Sequence, residues 1–148
     1  MNCLKVQMDI LKKLEKQSTT AVLIARDEDN IYLSPEGHRA FIIPKKFWYL
    51  DFEKLLDGRT EANFKAMFRN ADYGEDAVKT SDLKIMEKKI TIVKISSTNI
   101  HLWVDQNLIK EFDSDCKFKI TKNNAPCYIY ENGILVGLVL PVRVNAEA

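Results

Sequence analysis

The chain lacks the residue clusters from which most side-chain chemistry is built. It has two histidines, His38 and His101, and three cysteines, Cys3, Cys116 and Cys127, in 148 residues. The cysteines form no CxxC pair and stand near no cluster of histidines, so neither zinc nor another metal is expected. An odd and scattered count suits reduced thiols in a cytosol better than a disulfide framework. The sequence has no Gly-x-Ser-x-Gly, no His-Glu-x-x-His and no glycine-rich phosphate loop. An enzyme is therefore not expected, and no cofactor is implied. Cys116 is flanked by Asp113 and Asp115, which raise a thiol pKa and disfavour a reactive thiolate. The pairs Glu28/Asp29 and Glu75/Asp76 are sequence neighbours, and neighbours in extended chain point to opposite faces, which suits acid–base work poorly.

Two further absences narrow the class. Charge of one sign is missing: 22 Lys and Arg stand against 21 Asp and Glu, for a net charge of +1. Global charge thus neither recruits nor repels nucleic acid, and only a local patch would. Long apolar runs are also missing, so no segment of signal-peptide or transmembrane type is expected, and the chain reads as cytoplasmic with no membrane contact. The length fits a single domain of residues 1–148 with a real core.

What is present is strand patterning at both ends. Near the C-terminus, the segment 125–143 reads as two strands joined at Asn132-Gly133. Asn and Gly tolerate positive φ, so this dipeptide suits a two-residue hairpin turn. The second strand is nearly all apolar and is expected at the centre of a sheet. At the other end, Ile10, Leu11 and Leu14 predict a helix over 9–16, ended by Ser18-Thr19-Thr20. Strands are predicted at 21–25, 31–33 and 39–43, separated by the turns 27–30 and 34–37 and closed by Pro44.

The stretch 45–89 is less regular and reads as a variable, insertion-like segment. Phe52, Leu55 and Leu56 suggest a helical turn or two stopped by Gly58, and Phe64, Met67 and Phe68 suggest a helix over 61–70. Pattern resumes with a strand at 90–95, a short helix capped by Asp105 with Leu108, Ile109 and Phe112 on one face, and a strand at 117–120. Each end thus reads as helix, strand, turn, strand, with an added strand near Val6 as a counterpart in the first. The predicted class is α+β, with two helix-plus-antiparallel-sheet units related by a pseudo-two-fold axis.

Two stretches resemble a known family. Asn124–Cys127 through Leu140-Pro141-Val142-Arg143 is similar to the C-terminal end of bacterial DNA polymerase III beta sliding clamps. Asn30–Ser34 leading into Gly37-His38-Arg39-Ala40 is similar to that family's Asp-Gly-His-Arg-Leu segment. The resemblance implies a DNA-clamp-like domain in a non-enzymatic replication or processivity accessory. It leaves 45–89 unmatched. Family members carry three such domains and close a ring as dimers, whereas this chain has one, so a ring would take about six copies of a homo-oligomer. The alternative is a phage or mobile-element protein-binding module with the same fold and no ring.

Three sets of candidate residues follow. By resemblance, Lys5, Lys12, Lys13, Lys16 and Lys110 would meet duplex DNA through non-specific phosphate contacts. Glu111, Asp113 and Asp115 weaken the case at Lys110. Gly37, His38, Arg39, Leu140, Pro141, Val142 and Arg143 would form a peptide-binding pocket for polymerase-like or other protein partners. In the family these two motifs come from adjacent domains, so here a pocket would form between subunits or be rebuilt, and Ala40 would make it shallower. From the residues alone, the aromatic cluster Phe47, Trp48, Tyr49 and Phe52 either closes a core beneath a loop or, where exposed, forms an interface.

Overall fold

The computed structural model describes residues 1–15, 22–56 and 61–144. The predicted helix end at Ser18-Thr19-Thr20, the stop at Gly58 and the candidate Lys16 lie outside them. The first helix, α1, spans Cys3–Glu15. Asn2 caps it, its side-chain oxygen accepting the Lys5 backbone N–H at 3.0 Å. Val6 and Ile10, four residues apart, are buried on its inner face. Val6 is therefore helical, and the strand expected there is corrected: the apolar period of the helix begins at the N-terminus.

Among the described residues, nine antiparallel strands follow in the spatial order β1-β2-β3-β9-β8-β7-β4-β5-β6. The strands β1 (Leu23–Arg26), β2 (Asn30–Ser34) and β3 (Arg39–Pro44) form one meander. The strands β7 (Lys117–Ile120), β8 (Cys127–Glu131) and β9 (Ile134–Val139) form another. The two meet last strand to last strand, with Arg39 opposite Val139 and Phe41 opposite Gly137. Asn132 and Gly133 carry φ of 53° and 77° in the β8–β9 turn, as a tight hairpin of this hand requires. The hairpin reading thus holds, and β9 is central, although only its C-terminal half is buried.

The strand β4 (Glu75–Ile85) joins two layers. Its first residues pair with β7 and the remainder pairs with β5 (Thr91–Ser96), with an irregularity between Lys79 and Leu83. β6 (His101–Asp105) completes the second layer. One core cluster joins Val93, Ile95, Leu102 and Val104 of that layer to Phe41, Ile43, Phe118 and Ile129 of the first, with Val6 and Ile10 of α1. Burying each such side chain stabilises the fold by about 1.5–3 kcal/mol. On the opposite face of the first layer, Tyr128, Leu138 and Ala40 pack beneath Phe64 and Ala71.

Two helices expected from the sequence are shorter here. The 61–70 helix shrinks to α3 (Lys65–Phe68), after α2 (Phe52–Leu55). At 105–112, Asp105 does cap, accepting the Asn107 N–H at 2.9 Å, but only a 3-10 turn over Gln106–Leu108 forms. Ile109 and Phe112 are buried as expected. They reach the core because the chain turns inward there, with Phe112 stacked on Phe41 at 5.0 Å between ring centroids. The observed class is α+β, with a large antiparallel sheet and few helices.

Candidate functional site

The seam between β3 and β9 gathers the residues of both clamp-like motifs. The Leu140 N–H donates to the His38 carbonyl at 2.8 Å, and the Val142 N–H donates to the Trp103 carbonyl of β6 at 2.7 Å. The tail therefore crosses from one layer to the other. Gly37, with φ of 84°, turns the chain into β3. The Gly37 N–H donates to the Ser34 hydroxyl at 3.0 Å, and that hydroxyl donates to the Arg39 carbonyl at 2.6 Å.

Arg39 itself turns inward. Its guanidinium lies 2.7 Å from a Glu111 carboxylate oxygen and 3.2 Å from Glu36, above the Phe41 ring. The side chains of Arg39 and Glu111 are 8% and 1% exposed, so the pair is a buried one. The second Glu111 oxygen, Oε1, is buried with no partner. Leu140, Pro141 and Val142 are half-buried, and only His38 and Arg143 of this set are exposed. The seam brings the seven residues together while using Arg39 for packing.

The outer face of α1 is different. Leu4, Met8 and Leu11 are 55%, 48% and 47% exposed, at spacings of four and three residues that place them in one row. Gln7 is buried beside them and ties α1 to the aromatic loop. Its amide nitrogen donates to the Phe47 carbonyl at 2.8 Å, and its amide oxygen accepts the Tyr49 N–H at 2.7 Å. Phe47 and Tyr49 are exposed, whereas Trp48 is half-buried and Phe52 is buried against the Arg26 guanidinium. Of the four aromatics proposed as an interface, Phe47 and Tyr49 offer ring surface. With Met1, Asn2, Cys3, Leu4 and Asp113 they line one open groove of about 670 Å³ at the N-terminal end of α1.

The lysines assigned to DNA divide between surfaces. Lys5 and Lys12 are exposed on α1. At about 100° per residue, both fall on the flank of the Leu4–Met8–Leu11 row away from Gln7 and the aromatic loop. Lys13 points elsewhere, 3.4 Å from Glu36. Lys110 is exposed beyond α1 and lines a separate groove with Asp113, Asp115 and Lys117.

Nucleophile chemistry finds little support at the thiols. Burial pushes the Cys127 and Cys116 thiols up, with Glu131 the next contribution at Cys116 ahead of Asp113 and Asp115. A 350 Å³ cleft lined by Tyr32, Phe64, Phe68 and Arg69 holds a further pair, Tyr32 donating to Asp27 at 2.5 Å. Burial and that bond push the Tyr32 phenol up to about 12, which removes it as a base near neutrality. Among the described residues, no three His, Cys, Asp or Glu side chains group as a metal site would require. Among the same residues, no helix is long and apolar enough to cross a membrane.

Sequence reasoning missed Leu4, Met8 and Gln7, and it placed Leu11 on one stripe with Ile10 and Leu14, whereas Ile10 is buried and Leu11 is 47% exposed. The signal was present: extending the helical period back to Cys3 puts one apolar row inside and a second outside. Comparison with known proteins adds no relative, since no family model, curated protein or solved structure matches the chain.

Proposed function

We propose that the chain is a non-enzymatic, clamp-like binding module that docks a protein partner through the outer face of α1 and the Phe47–Tyr49 loop. The observation that carries this reading is the exposed row Leu4, Met8 and Leu11 on α1, whose first member shares a groove with the exposed Phe47 and Tyr49. An apolar patch rimmed by polar residues marks an interaction surface. The clamp-like plan is supported by the strand order. The two meanders run β1-β2-β3 and β7-β8-β9 and pair through their last strands in antiparallel sense, the arrangement a pseudo-two-fold axis at the seam would produce.

A test follows from the geometry. Immobilised protein incubated with extract of the cells that express it should retain a defined protein, and Leu4→Ser combined with Tyr49→Ser should abolish that retention. Retention unchanged by the double substitution refutes the docking face.

A second reading, a replication accessory lying against duplex DNA, is favoured by the exposure of Lys5 and Lys12. It requires duplex binding that fades with salt and is lost in Lys5→Glu combined with Lys12→Glu. The apolar row between these lysines and the aromatic loop fits phosphate poorly, which is why protein docking is placed first.

A further inference from the structure

We propose that the outer edge of β4 pairs with the same edge of a second copy of the chain, antiparallel about a two-fold axis at Leu83. This contact lies apart from the α1 face and does not depend on it. Three observations lead to it.

The first is an open backbone edge. On the side away from β5, β4 pairs with β7 only at Glu75, Asp76 and Ala77. The irregularity between Lys79 and Leu83 follows, and a bulge of this kind bends its strand and re-aims it. On the β5 side the Thr80 hydroxyl fills the gap, accepting the Asp82 N–H at 3.2 Å and donating to the Lys94 carbonyl at 3.0 Å. On the other side, no strand among the described residues pairs with Ser81 to Ile85. An unpaired edge presents backbone N–H and C=O groups as a template for a further strand.

The second is exposed apolar surface on that edge. Leu83 and Ile85 are 55% and 78% exposed. They stand opposite Val93 and Thr91 of β5, and their spacing of two puts both on one face. Pairing about Leu83 would set the two copies of Leu83 side by side, with each Ile85 diagonal to the partner's Leu83. Cross-strand neighbours at these positions stabilise a sheet.

The third is charge, which selects the occupant. Asp82 and Lys84 flank Leu83 on the opposite face, where the Lys94 ammonium lies 3.8 Å from Asp82 and both lysines stand over the Trp103 ring. A lone charge on an edge discourages pairing. Here an axis at Leu83 sets Asp82 of each copy opposite Lys84 of the other. Axes at Asp82 or Lys84 would set like charges directly opposite, which destabilises a pair. An axis at Ser81 runs into the irregularity, and one at Ile85 runs into the turn closed by the Met86 N–H on the Ile90 carbonyl. The next charges along the chain, Lys79 and Glu87, are equally spaced from Leu83 and are also opposite in sign. The edge is thus its own complement in one register. Such an isologous contact closes at two copies, whereas a ring needs a head-to-tail one. A pairing this short falls below the size of a stable interface, so the dimer is weak and reversible.

The test is sedimentation velocity on the full chain at low salt, from about 10 μM to about 1 mM. A monomer–dimer equilibrium is expected. Asp82→Lys and Lys84→Asp should each weaken it by at least about tenfold, since each sets like charges opposite at two places. An equimolar mixture of the two single variants should dimerise again, because one then carries two cations and the other two carboxylates. Asp82→Lys combined with Lys84→Asp should self-pair as the parent does. Far-UV circular dichroism and thermal midpoints confirm that each variant is folded.

A monomer at every concentration overturns the inference. So does a dimer that both single variants keep, and a dimer lost in Leu4→Ser assigns the contact to α1 instead. Single variants that stay monomeric when mixed overturn the Leu83 register and the proposal with it. A cellular protein whose retention is lost in Lys84→Asp, from a chain that is itself monomeric, identifies a foreign strand as occupant and does the same. None of these outcomes bears on retention through Leu4 and Tyr49, which Leu4→Ser combined with Tyr49→Ser tests separately.

Discussion

The β3–β9 seam and the outer face of α1 belong to one chain and are built on opposite terms. At the seam, polar and apolar groups alike are consumed. Arg39 and Glu111 pair out of solvent, Phe112 stacks on Phe41, and the tail is hydrogen-bonded across both layers. On the outer face of α1 and the neighbouring loop, Leu4, Met8, Leu11, Phe47 and Tyr49 stand 44% to 66% exposed. Of the residues gathered at the seam, Arg39 is spent on packing and only His38 and Arg143 are exposed, whereas the outer row of α1 is open along its length. In this chain, resemblance and availability part company, and availability is the physical requirement for recognition.

The largest test of that contrast is at Arg39. Arg39→Met should destabilise the fold by about 3–5 kcal/mol, because it strands the Glu111 carboxylate in a dry site that already holds one unpartnered oxygen. Urea denaturation measures it. The double variant with Glu111→Leu should recover most of that loss, since an apolar pair carries no desolvation penalty. A single variant as stable as the parent would mean that the seam is not sealed, and the contrast with α1 would collapse.

Gly137 tests the same seam by crowding. A Cβ built there lies 2.5 Å from the Ala40 carbonyl oxygen and 2.6 Å from the Phe112 ring. Gly137→Ala should cost about 1–3 kcal/mol, as the backbone cannot yield and the ring must leave its stack on Phe41. The measurement is the denaturation midpoint, read beside the near-ultraviolet circular dichroism of the packed rings. An unchanged midpoint would show that the two meanders do not close on each other at this point.

Much of this division was half legible in the sequence. Asn132-Gly133 announced its turn because the chemistry of that turn is local. The meander β1-β2-β3 was legible for the same reason. β4 was not, because strand alternation shows only where one face is buried, and from Val78 to Ile85 only Thr80 is shielded beyond the exposed range. The 105–112 stretch read as a helix because Ile109 and Phe112 have helical spacing. In the fold, Phe112 is instead placed by contacts distant in sequence: Gly137 leaves room for its ring, which stacks on Phe41. The Arg39–Glu111 pair, 72 residues apart, had no signal at all without the fold. On α1 the two apolar rows, one inside and one outside, blurred the single stripe that the eye seeks.

Between the extremes lies the Tyr32–Asp27 pair beside the 350 Å³ cleft. Tyr32→Phe should cost about 1 kcal/mol by removing that hydrogen bond. It should also change both ends of the pH profile. The Tyr32 bond, with smaller help from the Asp29 and Asn30 N–H groups, holds the Asp27 carboxyl below its ordinary range. Its stabilising effect is therefore present above the unfolded carboxylate range and lost as pH falls through the folded pKa. The phenol, raised from 10 to about 12, contributes below pH 10 and loses that contribution as pH rises towards 12. The variant should show a flatter stability profile at both ends. A profile identical to the parent would mean that the pair does not form.

The smallest effect should fall on the face argued to matter most for recognition. Met8→Gln replaces one of the exposed apolar side chains of α1 with a polar residue of similar length and helix propensity. Its stability should stay within about 0.5 kcal/mol of the parent, because nothing in the fold closes over the side chain. Retention of the cellular partner should nevertheless weaken several-fold, since Met8 sits at the centre of the row. The contrast is sharpest when both quantities are measured on one preparation: little change in denaturation midpoint with a clear loss of affinity. A destabilisation of 2 kcal/mol or more, on the scale of burying a large apolar side chain, would mean that Met8 is part of the core. In that case the outer row of α1 would belong with the sealed seam, and the domain would have no open face there.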